Sequence, residues 1–153
     1  MRSVPFERPK TMPKEIVESP DVFPLRKYKS LDPPNGIPIN MAVKASGAFL
    51  WTKQVPVDPR GVSVGEGDAL AQTEQILKNL TAMTKAAGAT MADVVAITWY
   101  VTDIEAFYAS NSSQLRCRYI PPPYPTSVVV EVSKLARPEW MVECLAVVNV
   151  PER

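Results

Sequence analysis

The chain has 153 residues, 46% hydrophobic and 22% charged, which suits one globular domain around a single core. Seventeen Lys and Arg against 16 Asp and Glu leave a net charge of +1, which argues against a nucleic-acid partner, because phosphate contacts need a basic excess. There is no histidine, so imidazole bases, Ser-His and Cys-His relays and histidine metal ligands are all excluded.

Eight of the 16 prolines fall within residues 1–38, which rules out a long helix or a central strand there. Residues 1–35 read as a proline-rich extended arm and residues 36–153 as the domain. Phe6, Ile16, Val17, Val22, Phe23 and Leu25 predict that the arm packs on the domain or on a neighbouring subunit. Residues 39–45 and 48–55 are apolar runs around Ser46-Gly47 and predict a hairpin. Asp68 is the expected N-cap of a helix whose stripe is Leu70, Thr73, Ile76, Leu77, Leu80, Met83 and Ala87. Glu74 and Lys78 stand four apart on its other face, and Gly88 is placed to end it in the left-handed conformation. Residues 93–101 predict a strand. Asp103 caps a second helix with Ile104, Phe107, Tyr108 and Leu115 as its stripe, stopped by Pro121-Pro122-Pro123. Residues 126–132 and 140–150 predict two last strands. The order is ββαβαββ, an α+β fold with one mixed sheet and both helices on one face.

Cys117 and Cys144 are too few for a four-thiolate zinc site or a disulfide framework. No apolar run is long enough to cross a bilayer, and no apolar leader follows Met1. A cytoplasmic protein without a membrane partner is expected.

Alternate side chains of a strand share a face. Val142, Cys144, Ala146, Val148 and Val150 predict the face under the helices, leaving Met141, Glu143, Leu145, Val147 and Asn149 opposite. Ser127, Val129 and Glu131 are assigned to that same helix-free side. Leu145, Val147 and Val129 are too apolar to face water, so a second copy of the chain is the expected cover, sheet against sheet. Glu143 would then lie beside the seam.

Three blocks carry a resemblance. They are Gln-Val-Pro-Val-Asp-Pro-Arg-Gly at 54–61, Ala-Gly-Ala-Thr-Met-Ala-Asp-Val-Val at 87–95, and Tyr-Pro-Thr-Ser-Val-Val-Val-Glu-Val at 124–132 with Leu135 and Val142-Glu143. In this order they resemble the Rid superfamily, the YjgF/RidA group of enamine and imine deaminases, over roughly residues 36–150. The resemblance implies a chorismate-mutase-like homotrimer, its sheets packed into a central barrel and three ligand clefts between subunits. It also marks departures. The family arginine that holds a substrate carboxylate falls on Ser127, the family cysteine on Val129 and the family tyrosine on Ile39. The family Ser-Gly falls on Thr52-Lys53, while Glu143 and Asn111 match.

Glu143 is the candidate catalytic residue, a carboxylate to deprotonate water at a C=N carbon; the alternative is a structural glutamate paired with a neighbour's cation. Thr52, Lys53, Asn111, Ser127, Val129, Ile39 and Trp51 are the candidate substrate contacts. Lys53 is a possible replacement for the lost positive charge or a plain strand-edge lysine. An imine carbon is already electrophilic, so no metal or cofactor is required. The reading is a hydrolase acting on an enamine, imine or related unstable intermediate of an aromatic, heterocyclic or amine pathway. Two alternatives stay open: a non-catalytic trimer binding a small molecule, and a tautomerase, ring-opening or decarboxylating enzyme in the same cleft. Ribonuclease activity, ascribed to some relatives, finds little support in a chain without histidine or basic excess.

Overall fold

In a computed structural model, which describes residues 14–24, 41–45 and 49–152, six strands form one sheet. They are β1 (Lys14–Ile16), β2 (Ala42–Ala45), β3 (Phe49–Gln54), β4 (Val94–Val101), β5 (Thr126–Glu131) and β6 (Val142–Asn149). Their spatial order is β1-β2-β3-β6-β4-β5. Every neighbouring pair is antiparallel except β4 with β5. A parallel pair needs a crossover, supplied here by α2 (Ile104–Ala109) and α3 (Ser112–Tyr119). The Ser46-Gly47 turn of the expected hairpin lies outside the described residues, but its two strands pair as expected.

Helix α1 (Ala69–Ala86) begins where expected: the Asp68 carboxylate accepts from the Ala71 N–H at 3.0 Å. Gly88 follows its end at φ +82°, a conformation that costs a glycine little. Ile76, Leu77, Leu80 and Met83 are buried against Leu50, Cys144, Ala146 and Val148 of the sheet. The predicted alternation of β6 holds, with Val142, Cys144, Ala146, Val148 and Val150 all buried.

Three features depart from the sequence expectation. The second helix is two helices, broken at Asn111, whose φ is +61°. Tyr108 is exposed rather than part of the stripe, its ring edge-on to buried Phe107 at 5.7 Å. Third, β1 extends the sheet by pairing antiparallel with β2. Val17 and Val22 behind it are buried, and the Phe23 ring covers Gly61.

The faces of β5 are the reverse of those assigned from sequence. Its register pairs Ser127 with Ile97 and Val129 with Trp99. Both partners are buried on the helix side, opposite Ala146 and Cys144. Ser127 and Val129 therefore lie on the helix side of the sheet, and Val128 and Val130 take the open face, both exposed. The cause is that β5 is an edge strand, rich in valine on both sides, so alternation alone leaves its orientation undetermined.

Candidate functional site

The candidate residues divide between the two faces of the sheet. On the open face, β3 and β6 bring Lys53 and Glu143 together. Lys53 stands opposite Leu145, two residues along β6 from Glu143, and its Nζ lies 3.2 Å from Glu143 Oε1. Cross-strand diagonal neighbours of opposite charge form such a pair readily. Both side chains are largely buried, at 29% and 20% exposure. Around them the face is apolar: Phe49, Trp51, Val128, Val130 and Leu145 are all exposed. Trp51 tilts against Phe49 at 6.0 Å between centroids. Glu143 is thus paired within its own chain, with the cation that sequence reading weighed as a substitute for the family arginine.

Thr52 points the other way. It is fully buried, its hydroxyl donating to the Met41 carbonyl at 3.0 Å and accepting from Gln54 Nε2 at 2.9 Å. Val129 packs on the core. Asn111 is exposed at the α2–α3 break, where its left-handed backbone suits an asparagine. Ile39 lies outside the described residues. Buried Cys144 has its thiol pushed up to about 12, chiefly by desolvation, so it is inert as a nucleophile.

Ser127 lies in a pocket that sequence reading missed. Helix α3 and β5 enclose about 200 Å³ lined by Ile97, Trp99, Ser113, Arg116, Cys117, Ile120, Tyr124, Pro125 and Ser127. Arg116 is its charged group. The guanidinium lies 5.7 Å from the Trp99 ring centroid and 5.4 Å from that of Phe107. Its Nε donates to Ser112 O at 3.2 Å, Nη2 to Ser113 Oγ at 3.1 Å, and Nη1 makes a long contact to Ser127 Oγ at 3.4 Å. Burial lowers its pKa from the ordinary value, opposed by Tyr108 and Cys117, and a guanidinium remains charged under such a shift. The available signal was helical spacing. Ser112, Ser113 and Arg116 share one turn of α3, but their approach to Ser127 needed the correct face of β5.

Two buried amides position the loops beside α1. Gln72 Nε2 donates to Glu139 O at 2.7 Å and Gly65 O at 3.1 Å, and its Oε1 accepts from the Met141 N–H at 2.7 Å. Asn79 Nδ2 donates to the carbonyls of Val55 and Val57. Among the described residues no helix is long and apolar enough to cross a membrane.

Comparison with known proteins gives a consistent result. The sequence profile of the endoribonuclease L-PSP family matches residues 34–150. A RutC family protein of Haemophilus influenzae is 34% identical over 115 residues, which are 72% of this chain and 86% of the relative. One from Pyrococcus horikoshii is 34% identical over 100 residues, 65% of this chain and 78% of that protein. The crystal structure of the Rid family protein YyfA from Yersinia pestis superposes with a TM-score of 0.73 at 27% identity, covering 90% of this chain and all of that one. Residues 34–150 hold both the Lys53–Glu143 pair and the Arg116 pocket, and the chain belongs to the endoribonuclease L-PSP family, within the Rid superfamily.

Proposed function

We propose that this chain is a Rid-type hydrolase of a reactive enamine or imine, working as a homotrimer with Glu143 as its base in a cleft between subunits. The observation that carries the reading is the Glu143 carboxylate, held by Lys53 at 3.2 Å on an apolar sheet face. A second copy covering that face would keep bulk water from the carboxylate and leave one water within its reach. Glu143 takes a proton from that water as the oxygen bonds to the C=N carbon. The electron pair of the π bond moves to nitrogen, which takes that proton back from Glu143. Glu143 then takes the carbinolamine hydroxyl proton and passes it to nitrogen, the C–N bond breaks, its electron pair leaves with the departing amine or ammonia, and the oxygen forms the carbonyl that remains. An enamine enters the sequence after protonation at carbon. Each proton transfer of this kind contributes about 10²–10⁴-fold.

Ser127 and Glu143 lie on opposite faces of one sheet, so a ligand touching both would draw them from different subunits. Absence of histidine and a net charge of +1 favour this chemistry over RNA cleavage.

The test generates imines in situ with an amino-acid oxidase and follows their trapping by semicarbazide. The protein should lower semicarbazone formation, and Glu143→Gln should reduce that effect at least a hundredfold. Unchanged hydrolysis in Glu143→Gln overturns the assignment. The Lys53 contact favours one second reading, a binding trimer, because the ammonium already occupies the carboxylate. Saturable binding with no hydrolysis of any imine would select it.

A further inference from the structure

We propose that the pocket between α3 and β5 binds a small carboxylate with an apolar or aromatic body, and that Arg116 is the group that holds the carboxylate. As a substrate subsite it rests on the hydrolase reading above; as an anion site it rests on the pocket alone.

The guanidinium has five N–H donors. Among the described residues it meets only neutral acceptors, at Ser112, Ser113 and Ser127. Among the described residues it has no carboxylate partner, and none of the residues lining the pocket is acidic. A half-buried charge beside apolar walls is costly unless something pairs with it. The indole N–H of Trp99 is likewise buried without an acceptor. The Trp99 and Phe107 rings hold the guanidinium in place, so its planar fork is ready for two parallel bonds to a carboxylate. A single cation suits a monoanion better than a phosphate dianion. The remaining walls, Ile97, Ile120 and Tyr124, call for an apolar body.

This also gives Ser127 a reason. In the family resembled, that strand position carries an arginine. Here the strand side chain is short, and a guanidinium from the helix lies 3.4 Å from it. Two arginines would contend for one volume, so the small residue at 127 and the cation at 116 form one arrangement, the charge moved from sheet to helix.

The experiment titrates the full chain at pH 7 with benzoate, benzamide and inorganic phosphate, followed by calorimetry. Benzoate should bind saturably and at least tenfold more tightly than benzamide, with phosphate weaker than benzoate. Arg116→Gln should weaken benzoate at least tenfold and leave benzamide unchanged, while Arg116→Lys, lacking the fork, should keep part of the affinity. Because Arg116 also packs on two rings, a second variant guards against misfolding. Ser113→Asp, at an exposed position, sets a carboxylate beside Nη2 and should abolish benzoate binding with the helical circular dichroism unchanged. The proposal is overturned if benzoate does not bind, if benzamide or phosphate matches it, or if Arg116→Gln or folded Ser113→Asp binds benzoate like the parent. Selective benzoate binding without imine hydrolysis would keep the anion site and remove only the hydrolase reading.

Discussion

Asp58 shows how much one side chain can organise. Its Oδ1 accepts the backbone N–H groups of Arg60 at 2.9 Å and Val62 at 3.0 Å, and its Oδ2 accepts Arg60 Nε and Nη2 at 3.0 and 2.8 Å. The Val62 N–H is the main reason its carboxyl lies below the ordinary range; burial opposes it, and Arg60 adds to the lowering. A carboxylate lowered on folding stabilises the native state above its unfolded pKa and loses that contribution as pH falls through the native one. Asp58→Ala should therefore cost about 1–3 kcal/mol at pH 7. The variant should also lose less stability than the parent between about pH 5 and 3. Urea unfolding across that range measures both, and parallel pH profiles for the two proteins would contradict the assignment. Glu139, lowered by hydrogen bonds that include Ser63 and Arg137 against the opposing effect of burial, pulls the parent profile in the same direction.

At the scale of elements, the helix ends and the helix-facing side of β6 were legible because each has a local cause. Asp68 and Asp103 accept from the N–H groups three residues on, and β6 is apolar at every second residue under the helices. The β5 orientation was not legible, because Val128, Val129 and Val130 satisfy either face and only pairing with β4 decides. The α2–α3 break was hidden in Asn111, a residue equally at home in a helix surface or a left-handed turn. The Arg116 pocket was lost with both, since it requires α3 to start afresh and Ser127 to face it. Gln72 was passed over as a polar position on an amphipathic helix, yet it is fully buried. It joins α1 to Gly65 and to the segment entering β6, so Gln72→Ala leaves two half-buried carbonyls and the Met141 N–H without their partner. The expected loss is about 2–4 kcal/mol, since each stranded group costs about 1–3 kcal/mol and the groups relax together. Gln72→Glu should be similarly damaging, because a carboxylate cannot donate to the Glu139 carbonyl. Denaturant midpoints check this, and a loss below 1 kcal/mol for Gln72→Ala would show that water replaces the amide without penalty.

At the scale of the whole molecule, the two faces of the sheet have different fates. One is closed by α1, α2 and α3; the other presents Phe49, Trp51, Val128, Val130 and Leu145, each at least 39% exposed. These residues come from β3, β5 and β6, so the patch runs across the sheet. A patch of that extent calls for a partner surface, and the proposed trimer supplies it from the same chain. The proposal makes a direct demand on mass in solution, which should be three times the 16.9 kDa chain. Leu145→Asp places a carboxylate in the middle of the patch, where burial without a cation would cost about 3–5 kcal/mol per site. Its own fold has little to lose, because residue 145 touches no helix-side core. The variant should sediment as a monomer with unchanged far-ultraviolet circular dichroism and should lose imine hydrolysis together with assembly. Lys53 stands directly opposite residue 145, so Leu145→Asn serves as the companion variant that the lysine cannot neutralise. A trimer that survives both substitutions would place the subunit interface elsewhere and free Glu143 to face solvent, which its proposed role does not allow.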